Sequence, residues 1–140
     1  AAGAKPSARR VEPDVYRPPA SSDATSGGGV SVQIFFAHDS ALLTADAKSE
    51  LDKLGQALVA PELAQERWFI EGHTDASGSD GYNEDLSQRR AFSVMSYLVQ
   101  NHRIRPELLI PVGKGESELY DPNDPNSNIN RRVRVKPAGD

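Results

Sequence analysis

Apolar positions recur along this chain with two periods. In residues 30–36, Val30, Val32 and Ile34 alternate with Ser31, Gln33 and Phe35, the two-residue period of a strand. Residues 37–40 (Ala-His-Asp-Ser) leave that strand as a loop. Thr44 suits a helix N-cap, and Asp46 falls in the first turn, where the helix dipole favours an anion. Ala47, Leu51, Leu54 and Leu58 then form one apolar stripe along a helix of about four turns, which Pro61 ends.

Residues 67–71 (Arg-Trp-Phe-Ile-Glu) read as a second strand, and Gly72 and Gly78 bracket a turn containing His73, Thr74 and Asp75. A long helix follows over residues 80–101. At roughly 100° per residue, Leu86, Arg90, Ala91, Val94, Tyr97 and Leu98 share one arc, so Arg90 lies inside the apolar stripe and Arg89 well outside it. A guanidinium aimed at a core edge needs a carboxylate or carbonyls close by. Residues 108–112 form a short third strand whose Pro111 points to an edge or a strand end. Gly113 and Gly115 flank Lys114 in a turn, and residues 121–130 are a polar loop with two prolines. Residues 132–136 (Arg-Val-Arg-Val-Lys) alternate strictly, as a half-buried last strand does. The order β-α-β-α-β-β predicts an α+β two-layer sandwich, two main helices packed on a four-stranded mixed sheet.

Composition narrows the function classes. A chain of 140 residues suits one domain, and a net charge of −4 offers no broad basic footprint for nucleic acid. No run reaches the roughly 18 apolar residues of a membrane helix, and the first residues lack the apolar stretch of a signal peptide. With no cysteine, a disulfide framework, a thiolate metal site and a Cys nucleophile are excluded. Residues 1–29, rich in Pro, Ala, Ser and Gly, read as a flexible tether or leader in which Val11, Val15 and Tyr16 are the residues able to dock. The domain proper is expected over residues 30–140.

Gly72-His73-Thr74-Asp75, Gly78, Asn83, Leu86-Ser87, Arg90-Ala91 and Asn130-Arg131-Arg132-Val133, in this order and between these elements, resemble the OmpA-like peptidoglycan-binding domain of outer-membrane porins, peptidoglycan-associated lipoproteins and flagellar stators. The resemblance covers about residues 30–137 and includes residues 36–42 (FAHDSAL), similar to the family's FDFDSAxL. It implies non-catalytic binding of the peptidoglycan stem peptide through its diaminopimelate, with no cofactor and no metal. Asp75 and Arg90 match the family's key acid and base. Asn83, Asp39 and Ser77 match further contact positions, and Arg132 stands where the family has an arginine near the site.

The chemistry is consistent with that implication. The free end of diaminopimelate carries an ammonium and a carboxylate on one carbon; an aspartate accepts from the first, and an arginine fork holds the second. Lysine lacks that carboxylate and would leave the guanidinium unpaired. The resemblance places the chain at the periplasmic face of the envelope, associated with the outer membrane, where it would anchor an upstream barrel, lipid anchor or inner-membrane helix to the wall. One departure concerns the first loop, where Ala37 replaces an acid and His38 an aromatic.

Plainer roles compete at each position. Asp75 suits a turn or helix cap, Arg90 a structural ion pair with Asp75 or Glu71, Asn83 a cap and His73 a buried hydrogen-bonding residue. Arg131, Arg132, Arg134 and Lys136 suit a solvated strand face from which one side chain reaches a pocket. His38, Asp39, His73 and Asp75 together have the donor types for zinc without the spacing of a metal motif. Residues 121–126 lack the glycine and glutamate of a calcium loop, and the GKGE at Gly113 lacks the setting of a phosphate loop. Two other function classes stay open. Glu71 and Asp75 are a carboxylate pair of the kind a glycan hydrolase uses, and the open sheet face could serve a protein-interaction module.

Overall fold

Both periods resolve into the expected elements. The computed structural model describes residues 14–18 and 32–139. Strand β1 (Val32–Phe35) leads to helix α1 (Ala45–Leu58), strand β2 (Trp68–Gly72), helix α2 (Asp80–His102), strand β3 (Leu109–Gly113) and strand β4 (Arg132–Pro137). Single 3-10 turns precede β3 and β4. The sheet order is β1-β4-β2-β3. β4 runs antiparallel to both of its neighbours, and β2 and β3 are parallel because α2 crosses over between them. This is the α+β two-layer sandwich that the element order implies.

The helices cover one sheet face. Ile34, Ile70, Val133 and Val135 meet Leu51, Leu54 and Leu58 of α1 and Ala91, Val94 and Leu98 of α2. Along each strand the intervening residues, including Gln33, Phe69, Glu71, Arg132, Arg134 and Lys136, therefore belong to the opposite face. Pro111 sits on the outermost strand, where its missing N–H breaks no ladder.

The helix starts are satisfied locally. Thr44 Oγ1 accepts from Ala47 N at 3.0 Å, as the sequence suggested. Ser79 Oγ accepts from Tyr82 N at 3.2 Å and so caps α2, leaving Asn83 for another task. Across the helix pair, Asp52 of α1 accepts from Tyr97 Oη and meets His102 Nε2, each at 2.8 Å. α2 is amphipathic, and no helix among the described residues is long and apolar enough to cross a membrane.

The end of β2 lies hard against α2. A Cβ on Gly72 would sit 1.8 Å from the Ser87 carbonyl oxygen, so only glycine permits this approach. That contact delivers the turn after β2 to the N-terminal end of α2.

Most of the stretch read as a tether, Val11 included, lies outside the described residues. The described piece, residues 14–18, lies against the domain instead of projecting from it. The Tyr16 ring packs on Phe35 of β1 with centres 4.8 Å apart and planes tilted by 59°, and Arg17 pairs with Asp46 of α1 at 3.3 Å.

Candidate ligand-binding site

Four segments converge at one end of the sandwich: the loop after β1, the turn after β2, the first turns of α2 and the residue just before β4. They enclose a cleft of about 400 Å³ lined by His38, Asp39, Asp75, Ser77, Tyr82, Asn83, Arg90 and Arg131, among others. Five of the six residues singled out in the sequence are thus brought together; Arg132 is not among them.

Asp75 is the buried anion of the cleft. Its Oδ1 accepts from Ser77 N at 3.0 Å and Ser77 Oγ at 2.6 Å, and its Oδ2 pairs with Arg131 Nη1 at 3.2 Å. His38 Nδ1 stands 3.8 Å from the same oxygen. Burial pushes the carboxyl up, but the Ser77 bonds and the Arg131 guanidinium outweigh it and hold Asp75 below the usual carboxylate range. A carboxylate has roughly four acceptor directions, so Asp75 retains capacity for a ligand N–H.

Arg90 is inward, as its helical phase requires, but it bonds carbonyls in place of a carboxylate. Its Nε donates to Ser40 O at 2.8 Å, Nη1 to His73 O at 3.0 Å and Nη2 to Ala37 O at 2.9 Å. The side chain is fully buried and forms part of the cleft floor, with Cζ 5.3 Å from the Phe36 ring centre. Burial, followed by repulsion from Arg131, lowers its pKa to about 10, so it stays charged at neutral pH. Arg90 is therefore a cross-brace that ties the first loop to the β2 turn, and the ion pair expected between Arg90 and Asp75 is made by Arg131.

Arg131 is the residue that sequence reasoning missed. It shares strand phase with Val133 and Val135, so it points to the core side of the sheet, and its neighbour Arg132 to the other. That alternation was legible in the sequence. Arg132 lies on the open face, with its guanidinium 5.2 Å from the Tyr120 ring centre and Nη2 donating to Glu118 O at 3.4 Å. Asn83 also acts locally. Its Nδ2 lies 2.7 Å from Glu116 Oε1 and 3.3 Å from Asp75 O, bracing the turn. Asp39 is exposed and sits at φ 53°, a left-handed conformation that Asp tolerates better than most residues.

Neither other chemistry read from these residues is assembled. Glu71 pairs with Lys136 at 3.2 Å and lies 3.6 Å from His73 Nε2 on the open face, so Glu71 and Asp75 do not share a cleft. His73 is buried on that same side, away from His38, and among the described residues no group of three or more His, Asp or Glu side chains is placed to hold a metal.

His73 makes a pH-dependent contribution instead. It is 1% exposed, and among the described residues neither ring nitrogen has a hydrogen-bond partner. Burial, reinforced by the Arg132 charge, lowers its pKa from 6.5 to about 3. Below pH 6.5 the unfolded chain takes up a proton that the folded protein refuses until about pH 3. Stability conferred by neutral His73 is therefore full above pH 6.5 and lost as pH falls across that window, by up to about 5 kcal/mol. Urea unfolding at pH 7, 5 and 4 is expected to show a steeper acid loss for the wild type than for His73→Asn; parallel curves would refute this.

The molecule is thus an α+β sandwich with a charged cleft at one end, between the loops after β1 and β2 and the first turns of α2. The OmpA family profile matches residues 35–133, and the chain belongs to the OmpA family. It is 41% identical over 66 residues to the outer-membrane lipoprotein YfiB of Pseudomonas aeruginosa, covering 47% of this chain and 38% of that protein. It is 35% identical over 107 residues to outer membrane protein A of Bordetella avium, covering 75% of this chain and 54% of that one. The chain thus spans about half or less of the length of these curated relatives. Among solved structures, the peptidoglycan-associated lipoprotein of Burkholderia pseudomallei superposes with a TM-score of 0.66 at 24% identity, covering 75% of this chain and 88% of that one.

Proposed function

We propose that the cleft binds peptidoglycan, without catalysis, through the zwitterionic end of diaminopimelate in the stem peptide, and that the domain anchors an envelope protein to the wall. The carrying observation is the buried Asp75–Arg131 pair above the charged floor of Arg90. Asp75 accepts from the ligand ammonium. The ligand carboxylate faces Arg131 and the two Arg90 N–H groups left after three of its five donors meet carbonyls. Asp39, Ser77 and Asn83 shape the rim. Membership of a family that includes outer-membrane proteins supports a periplasmic location, and the name of the Burkholderia protein supports the peptidoglycan ligand.

Calorimetric titration with diaminopimelate and with lysine tests this. Each charge-assisted bond contributes about 1.5–3 kcal/mol, so diaminopimelate is expected to bind at least about tenfold tighter, and Asp75→Ala to abolish detectable binding. Equal affinity for the two amino acids would overturn the assignment.

A further inference from the structure

The guanidinium of Arg131 is engaged on every side. Nε donates to Phe36 O at 3.2 Å, Nη1 meets Asp75, and Nη2 meets Asp14, which lies 117 residues earlier in the chain. Asp14 presents two acceptors there: Oδ2 at 3.1 Å and its backbone carbonyl oxygen. Asn128 Nδ2 donates to Asp14 Oδ1 at 2.7 Å, and this bond, followed by that from Arg131, lowers the Asp14 pKa. A carboxylate from outside the domain proper thus sits on the cation that the cleft offers to a ligand carboxylate.

We propose that residues 14–18 are an intramolecular plug, in which Asp14 mimics the ligand carboxylate at Arg131, so that docking of this segment and ligand binding exclude one another. This rests on the reading of the cleft given above and adds its regulation.

The strength of the contacts suits a releasable plug. Arg131 is held in place by Asp75 and Phe36 and is 3% exposed, so it presents a preformed socket. The Asp14 side chain is 73% exposed, and Arg17 and Asp46 are both about as open, so the segment's ion pairs are of the weak surface kind. Tyr16 on Phe35 adds one aromatic contact. A segment held this way lowers apparent affinity by the fraction of time it is docked, without closing the site. The coupling is reciprocal: ligand that displaces Asp14 frees residues 14–18, and anything that holds this segment away from β1 tightens the grip of the cleft.

The test titrates diaminopimelate into the whole chain and its Asp14→Ala, Tyr16→Ala and Asp75→Ala variants, and follows amide exchange of residues 15–17 with and without ligand. Asp14 is exposed, so its replacement leaves the fold in place. Asp14→Ala is expected to bind about three- to tenfold tighter, the size of one exposed ion pair with its hydrogen bonds, and Tyr16→Ala less so. In the wild type, ligand is expected to raise exchange at residues 15–17. Unchanged or weaker binding by Asp14→Ala, with Asp75→Ala inactive, would overturn the plug while leaving the cleft assignment standing. Binding that survives Asp75→Ala would overturn the cleft assignment and the plug with it.

Discussion

Arg90→Ala is expected to lower the unfolding free energy by about 4 kcal/mol, enough to leave a marginal domain largely unfolded in mild urea. The reason is structural. The side chain donates to the carbonyls of Ala37, Ser40 and His73, and each loses this donor once it is gone. An orphaned buried acceptor costs about 1–3 kcal/mol, and the vacated volume adds a cavity term. Against these stands relief: holding a charge with its pKa lowered to about 10 costs about 3 kcal/mol, which the variant recovers. One buried carbonyl, two half-buried ones and a cavity together exceed that relief. Arg90→Met, which keeps the volume and loses the donors, isolates the carbonyl part and is expected to lose about 2 kcal/mol. Denaturant midpoints of both variants check this, and wild-type stability in either would show that the brace is dispensable. One consequence bears on function: lost binding in an Arg90 or an Asp75 variant has to be read beside its stability, because Asp75 too is buried and paired with Arg131.

Gly72→Ala is the second change with a large expected effect. The added methyl would stand 1.8 Å from the Ser87 carbonyl oxygen and 2.7 Å from its carbon. The neighbour is helix backbone, so nothing yields cheaply; α2 must shift from the sheet or β2 must bend. A loss of about 3 kcal/mol or more is expected, beyond that of an ordinary overpacked core site. Because Ser87 Oγ also accepts from Gly115 N at 2.9 Å, the shift would spread into the loop that braces Asn83. Thermal unfolding of Gly72→Ala beside Gly81→Ala, where a Cβ meets nothing within 4 Å, gives the comparison, and equal melting temperatures would refute the argument.

Period and phase made much of this protein legible. The two-residue rhythm of Val133 and Val135 and the helical stripe through Leu51 and Leu54 correspond to buried faces in the fold. The helical arc that separates Arg90 from Arg89 is borne out: Arg90 is fully buried, and Arg89 pairs with Asp85 on the surface at 2.8 Å. Thr44 could be read as a cap because capping is local, between residues three apart. Strand phase applied one residue earlier would also have found Arg131.

Partnership across long stretches of chain was not legible. Burial of Arg90 follows from helical phase, but its choice of carbonyls depends on where a loop 50 residues earlier folds back. Asp75 finds Arg131 across 56 residues, and Asp14 finds it across 117. Local periodicity reports which way a side chain faces, because backbone geometry repeats every few residues. It carries no record of what stands opposite, which is set only when sheet order, helix packing and the close approach at Gly72 bring distant segments to one end of the fold.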